Sequence, residues 1–173
     1  MSKAIIISGN LAQDHEFIYP YYRLLEEGFE IDVCLLEGKP VQGILGTKIP
    51  PNKDQPVKKI EDVLVDDYKV LILPGGVKAM EKVRQEKKII NFITEFNKKE
   101  KVIACICSGA QLLISAKVVK GRKIAGYYSM KDDLINAGAV YTDLPAVVDA
   151  NIITTAHYKD MGPWMKEVIK KIK

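Results

Sequence analysis

Short runs rich in apolar and β-branched residues alternate along this chain with longer segments of helical periodicity, and that alternation limits the fold to a narrow class. Residues 5–7 (Ile-Ile-Ile), 29–36, 70–73 (Val-Leu-Ile-Leu) and 102–106 read as strands, the central ones apolar throughout. A helix is expected over about 14–27, with Ile18, Tyr21, Leu24 and Leu25 on its buried face, Gly28 at its C-terminal cap and Pro20 inside it, costing a hydrogen bond or producing a bend. Residues 37–58 carry Gly, Pro and Lys and read as a loop with a short hairpin. Further helices are expected over 87–99 (stripe Ile89, Ile90, Ile93, Phe96), 107–117 (Leu112, Leu113 and Val118 inward), 130–137 and 161–172. A strand near 123–127 and a strand or hairpin across 140–154 complete the pattern. Apolar strands interleaved with amphipathic helices call for a mostly parallel sheet covered on both faces. No internal repeat or linker divides the 173 residues, so a single domain over 1–173 is expected.

Ligands in such sheets bind beyond the carboxyl ends of the strands, where strand order reverses, so the chemistry is sought in residues that directly follow strands. Three segments qualify: Asp14-His15-Glu16, Pro74-Gly75-Gly76 and Cys107-Ser108-Gly109. The last joins a strand to a helix through a sharp turn with small neighbours, the construction of a nucleophile elbow. A thiol at a helix start also faces unpaired N–H groups that favour the thiolate. A buried, inert cysteine fits the same pattern, and Cys105, inside the strand, reads as core. Gly75 and Gly76 offer backbone N–H groups for an oxyanion or form a plain turn. Glu16 is either a solvated first-turn acid or, if the fold sets it against Cys107, a carboxyl that shares a proton with the sulfur. His157 follows a strand and is expected near the same edge, while His15 is expected at the surface. Cys105, Cys107 and His157 lack a structural zinc spacing, and no phosphate loop or dinucleotide fingerprint occurs, so neither metal nor cofactor is expected.

Composition removes other classes. Hydrophobic residues make up 47% and charged residues 28%, an ordinary globular balance. No apolar run approaches the roughly 18 residues of a membrane span. Residues 4–7 are too short for a signal-peptide core, which makes a cytoplasmic location the expectation. Three cysteines (Cys34, Cys105, Cys107) do not form a disulfide framework. The formal charge of +4 comes almost wholly from scattered lysines, with Arg23, Arg84 and Arg122 the only arginines, and this argues against a nucleic-acid partner.

Together these segments resemble the ThiJ/PfpI superfamily of the class I glutamine amidotransferase-like fold, most closely its intracellular protease I branch. The likeness runs from the first strand to the final helix. It includes residues 16–21 (Glu-Phe-Ile-Tyr-Pro-Tyr), Leu73-Pro74-Gly75-Gly76, the Cys107 turn, residues 112–116, Lys120-Gly121-Arg122-Lys123, residues 132–138 and Trp164-Met165. The resemblance implies a flavodoxin-like three-layer α/β/α sandwich with Cys107 as nucleophile and Glu16 hydrogen-bonded to its sulfur. It implies an oxyanion pocket from Gly75, Gly76 and Ser108, a pocket-lining Tyr127, and a homo-oligomer, dimer or hexamer. The peptidase-like branch carries a histidine directly after the nucleophile, where this chain has Ser108.

Three functions follow as expectations. The first is a cofactor-free, stress-related hydrolase of the glyoxalase or deglycase kind, acting on small reactive carbonyls or glycated adducts through Cys107 and Glu16. The second is an intracellular cysteine peptidase or amidase acting on peptides, which lacks its base when Ser108 replaces the histidine. The third is a redox sensor or chaperone that uses the Cys107 thiol without turnover.

Overall fold

A computed structural model describes residues 2–173. Among the described residues, a seven-stranded sheet forms the centre. It is built from β1 (Lys3–Ser8), β2 (Glu30–Leu35), β5 (Val57–Lys58), β6 (Val70–Leu73), β7 (Val102–Ile106), β10 (Val147–Asp149) and β11 (Ile152–Thr155). Their order is β10-β11-β7-β6-β1-β2-β5, parallel throughout except for the β10–β11 edge hairpin. From β1 the chain moves outward to β2 and then returns to β1's other side as β6, so the order reverses between β1 and β6. That switch point fixes where a ligand-binding crevice opens.

The strands are apolar on both sides because helices cover both sides. α1 (Asp14–Glu26) and α6 (Met161–Ile172) press Phe17, Tyr21, Leu24, Trp164, Met165 and Val168 onto Ala4, Ile6, Ile72, Ala104 and Ile106. α2 (Val77–Val83), α3 (Lys87–Lys98) and α4 (Ala110–Ser115) press Met80, Val83, Ile93, Phe96, Leu112 and Leu113 onto Ile5, Ile7, Leu71, Leu73, Ile103 and Cys105. The period of two along each strand assigns alternate residues to the two layers. This is the mostly parallel, doubly covered sheet expected from the alternation, and the flavodoxin-like three-layer sandwich that the resemblance implies.

Several boundaries differ from the sequence expectation. α2 was not foreseen, because only Ala79, Met80 and Val83 of its seven residues are buried, too few to show a period. Pro20 lies inside α1 without ending it, and Phe17 rather than Leu25 fills the buried stripe. The expected helix over 107–117 opens as a 3₁₀ turn at Cys107–Gly109 and is α-helical only from Ala110. The strand near 123–127 shrinks to β8 (Lys123–Ile124), which pairs outside the main sheet with β9 (Val140–Tyr141), beyond α5 (Lys131–Asn136). The loop over 37–58 does contain a hairpin, β3 (Val41–Gln42) with β4 (Lys48–Ile49).

Candidate active site

At the carboxyl edge of the sheet, β1, β6 and β7 deliver Glu16, Gly75 and Cys107 to one place. Cys107 leaves β7 with a φ of 60°, a left-handed conformation that costs a non-glycine residue about 1–2 kcal/mol. Its carbonyl is tied down by the Tyr127 N–H at 3.2 Å. The strain turns the side chain out of the strand direction, as an elbow requires. Gly109 makes the turn possible, since a Cβ there meets the Leu73 carbonyl at 2.6 Å and the Pro74 carbonyl at 2.9 Å.

Glu16 is the fully buried acid of α1. The Gln13 side chain caps the helix by accepting the Glu16 N–H at 3.1 Å, which starts α1 just ahead of the site. Glu16 Oε2 accepts the Gly75 N–H at 2.8 Å, and the carboxyl and the Cys107 thiol both lie against Gly75. Its other oxygen, Oε1, is buried without an oxygen or nitrogen partner. The solvated reading of Glu16 is thereby replaced. Gly75 must be glycine: a Cβ would overlap Glu16 Oε2 and sit 2.8 Å from Cys107 Cβ and 3.1 Å from Sγ.

Burial dominates the electrostatics. It pushes the Glu16 carboxyl up to about 7, against the opposing pull of Cys107 and Gly75. Burial, and next the Glu16 charge, push the Cys107 thiol up to about 12, while the Ser108 N–H and hydroxyl pull it down. The helix start was expected to favour the thiolate; here one 3₁₀ turn and a six-residue helix do not outweigh desolvation beside a carboxylate. Between about 7 and 12 the pair instead keeps one proton for two acidic groups. Cys105 and Cys34 are buried in the core and pushed up by that burial.

A cleft of about 320 Å³ opens over the thiol, lined by Glu16, Gly76, Cys107, Ser108, Tyr127 and His157, with Gln13, Ile44, Val77 and Tyr158 completing it. The expected residues are thus brought together, with one refinement. The Gly75 N–H is committed to Glu16 and is not free to receive an oxyanion. His157 Nδ1 accepts the Lys159 N–H at 3.1 Å, which in the neutral tautomer leaves Nε2 as the N–H donor. Its ring lies tilted against Tyr158, 4.0 Å between centroids, and stacks more distantly on Tyr127 at 6.2 Å. His15 sits at the rim, 5.3 Å from Tyr158, with Nδ1 3.2 Å from the Gln13 amide.

Sequence reasoning missed Ile44, whose place depends on the β3–β4 hairpin folding back over the site. Asp14 anchors that hairpin by accepting the Leu45 N–H at 2.7 Å and the Thr47 N–H at 2.9 Å. Among the described residues, no group of three His, Cys, Asp or Glu side chains is placed to hold a metal ion. No helix among them is long and apolar enough to cross a membrane.

The chain has relatives among known proteins. Deglycase PfpI of Pyrococcus furiosus is 37% identical over 171 residues, 99% of each chain. The Putative cysteine protease YraA of Bacillus subtilis is 34% identical over 175 residues, the full length of both. The crystal structure of Drosophila melanogaster DJ-1beta superposes with a TM-score of 0.89 over 99% of this chain and 91% of that one, at 24% identity, a likeness of fold. The DJ-1/PfpI family matches residues 2–171, and the chain belongs to that family.

Proposed function

We propose that the chain is a cofactor-free, cysteine-dependent enzyme that acts on small reactive carbonyl compounds or the adducts they form, in the manner of a glyoxalase or deglycase. The observation that carries this reading is the placement of the buried Glu16 carboxyl and the half-buried Cys107 thiol together against Gly75, with the carboxyl pushed up to about 7 by its burial. Such a pair needs no separate base. As Sγ attacks an aldehyde carbon, its proton passes to Glu16, and the carbonyl electron pair moves to the oxygen, which the Gly76 and Ser108 N–H groups receive. Glu16 returns the proton to that oxygen, giving a hemithioacetal. For a 2-oxoaldehyde, the freed carboxylate then takes the proton from the former aldehyde carbon and delivers it to the neighbouring carbon, while the hydroxyl proton passes to the neighbouring ketone oxygen. The product is a 2-hydroxyacyl thioester, which water cleaves to the hydroxy acid and the free thiol.

Two further features support this reading over peptide hydrolysis. Ser108 stands where the peptidase-like branch carries a histidine, and His157 presents a donor rather than a base. The relative named a deglycase supports the reading, and the one named a putative cysteine protease keeps amide hydrolysis as the alternative to be assayed. The test is lactate formation from methylglyoxal by the purified protein. Turnover lost in Cys107→Ala supports the mechanism; equal turnover in that variant overturns it. Cys107-dependent cleavage of a fluorogenic peptide panel, with methylglyoxal untouched, would establish the peptidase reading instead.

A further inference from the structure

Beyond Ser108 a second and larger cleft, about 710 Å³, continues from the first and shares Val77, Ser108 and Tyr127 with it. On its wall stands Arg84, at the end of α2. Arg84 Nε donates to Ser115 Oγ at 2.9 Å, and Nη1 donates to Gln111 Oε1 at 3.3 Å. Gln111 is itself buried, so the guanidinium is held against a fixed support. Both acceptors are neutral. Among the described residues Arg84 has no carboxylate partner, although Glu81 lies one helical turn away and lines the same cleft. The two hydrogen bonds engage Nε and one N–H of Nη1, and the N–H groups of Nη2 have no partner among the described residues and are available to a carboxylate.

We propose that this cleft is a second subsite of the active site, in which Arg84 holds a carboxylate carried by the molecule whose carbonyl meets Cys107. The inference rests on the reading of Cys107 as a reactive thiol and names the substrate class more narrowly. Gln111 and Ser115 follow Cys107 by one and two helical turns, which sets the guanidinium about 6 to 12 Å from the elbow. Methylglyoxal is too short to span that distance. A carbonyl adduct of an amino acid or of a short peptide's terminus does span it and brings a free carboxylate. Glu81 and Asp133, exposed on the rim, disfavour a doubly charged phosphate and suit the ammonium group of an amino acid. Ile114 and Met130 supply an apolar floor for the atoms between.

The experiment uses thiol labelling, so that it does not depend on turnover. Two maleimides are compared, N-ethylmaleimide and one bearing a carboxylate on a flexible tether that spans about 6 to 12 Å. Labelling of Cys107 is followed by peptide mass spectrometry. The wild type is expected to react with the acidic reagent about tenfold faster than with the neutral one, an advantage that salt erodes. In Arg84→Gln the ratio falls to about one. Gln111→Glu, which sets a carboxylate against the guanidinium and keeps α2 tied to α4, lowers it likewise; unfolding midpoints confirm that both variants are folded. An unchanged ratio in both variants overturns the subsite and leaves the thiol assignment standing. A Cys107 inert to both reagents overturns the reactive-thiol reading, and the subsite with it.

Discussion

Replacing Glu16 with glutamine removes a buried charge, and the consequence for stability can be worked out. The carboxyl rises from an ordinary 4.5 in the unfolded chain to about 7 in the folded one because burial penalises its charged form. A raised acid binds more protons folded than unfolded, so it favours the fold fully below pH 4.5, and that contribution is lost as pH climbs to about 7. The displacement corresponds to about 3 kcal/mol. Glutamine keeps an oxygen for the Gly75 N–H, gains a donor for the sulfur and has no charge to bury. Glu16→Gln is therefore expected to match the wild type near pH 4.5 and to be more stable by about 3 kcal/mol at pH 8, or about 6 to 12 °C in Tm for a chain of this size. Urea unfolding of both proteins across that range gives the difference directly, with the titration of all other groups cancelling. Parallel curves, with no gap opening between pH 4.5 and 8, would show that the carboxyl is not desolvated and would remove the basis of proton sharing with Cys107.

Three other outcomes follow from the same geometry. The rate on a carbonyl substrate, as kcat/KM, is expected to rise with pH through an inflection near 7, because below it both Glu16 and Cys107 are protonated and no base remains; a flat profile from pH 6 to 8 contradicts this. Gly75→Ala drives a methyl into Glu16 and Cys107, and is expected to cost about 1–3 kcal/mol in urea unfolding and at least about tenfold in rate. Neutral maleimide on the folded protein is expected to label Cys107 alone, since Cys34 and Cys105 are buried; early labelling of either, seen by peptide mass spectrometry, contradicts the assigned packing.

The sheet and its two covering layers were legible because burial on both faces leaves a continuous apolar signature in β1, β6 and β7 that only a parallel sheet explains. The post-strand rule then reached Glu16, Gly75 and Cys107, since a parallel sheet brings those strand ends together whatever their separation in sequence. Their charge state was not legible. A helix start favours a thiolate and burial opposes it, and only the folded distances between Glu16, Gly75 and Cys107 show that burial prevails. Ile44 and Arg84 escaped for another reason. Ile44 belongs to a hairpin placed by Asp14 far along the chain, and Arg84 closes a helix too short to declare its period. The paired glycines promised two N–H donors, yet the fold spends Gly75 on Glu16, a hydrogen bond spanning 59 residues that no local pattern encodes.

If Cys107 and Glu16 act as one unit, their losses should not multiply. The direct measurement is kcat/KM for methylglyoxal with the wild type, Cys107→Ala, Glu16→Gln and the double variant. Each single change is expected to lower the rate by about 10²–10⁴, and the double variant to be no slower than the worse single. Losses that multiply in the double variant, or wild-type turnover in either single variant, would contradict a shared proton between sulfur and carboxyl as the engine of this site.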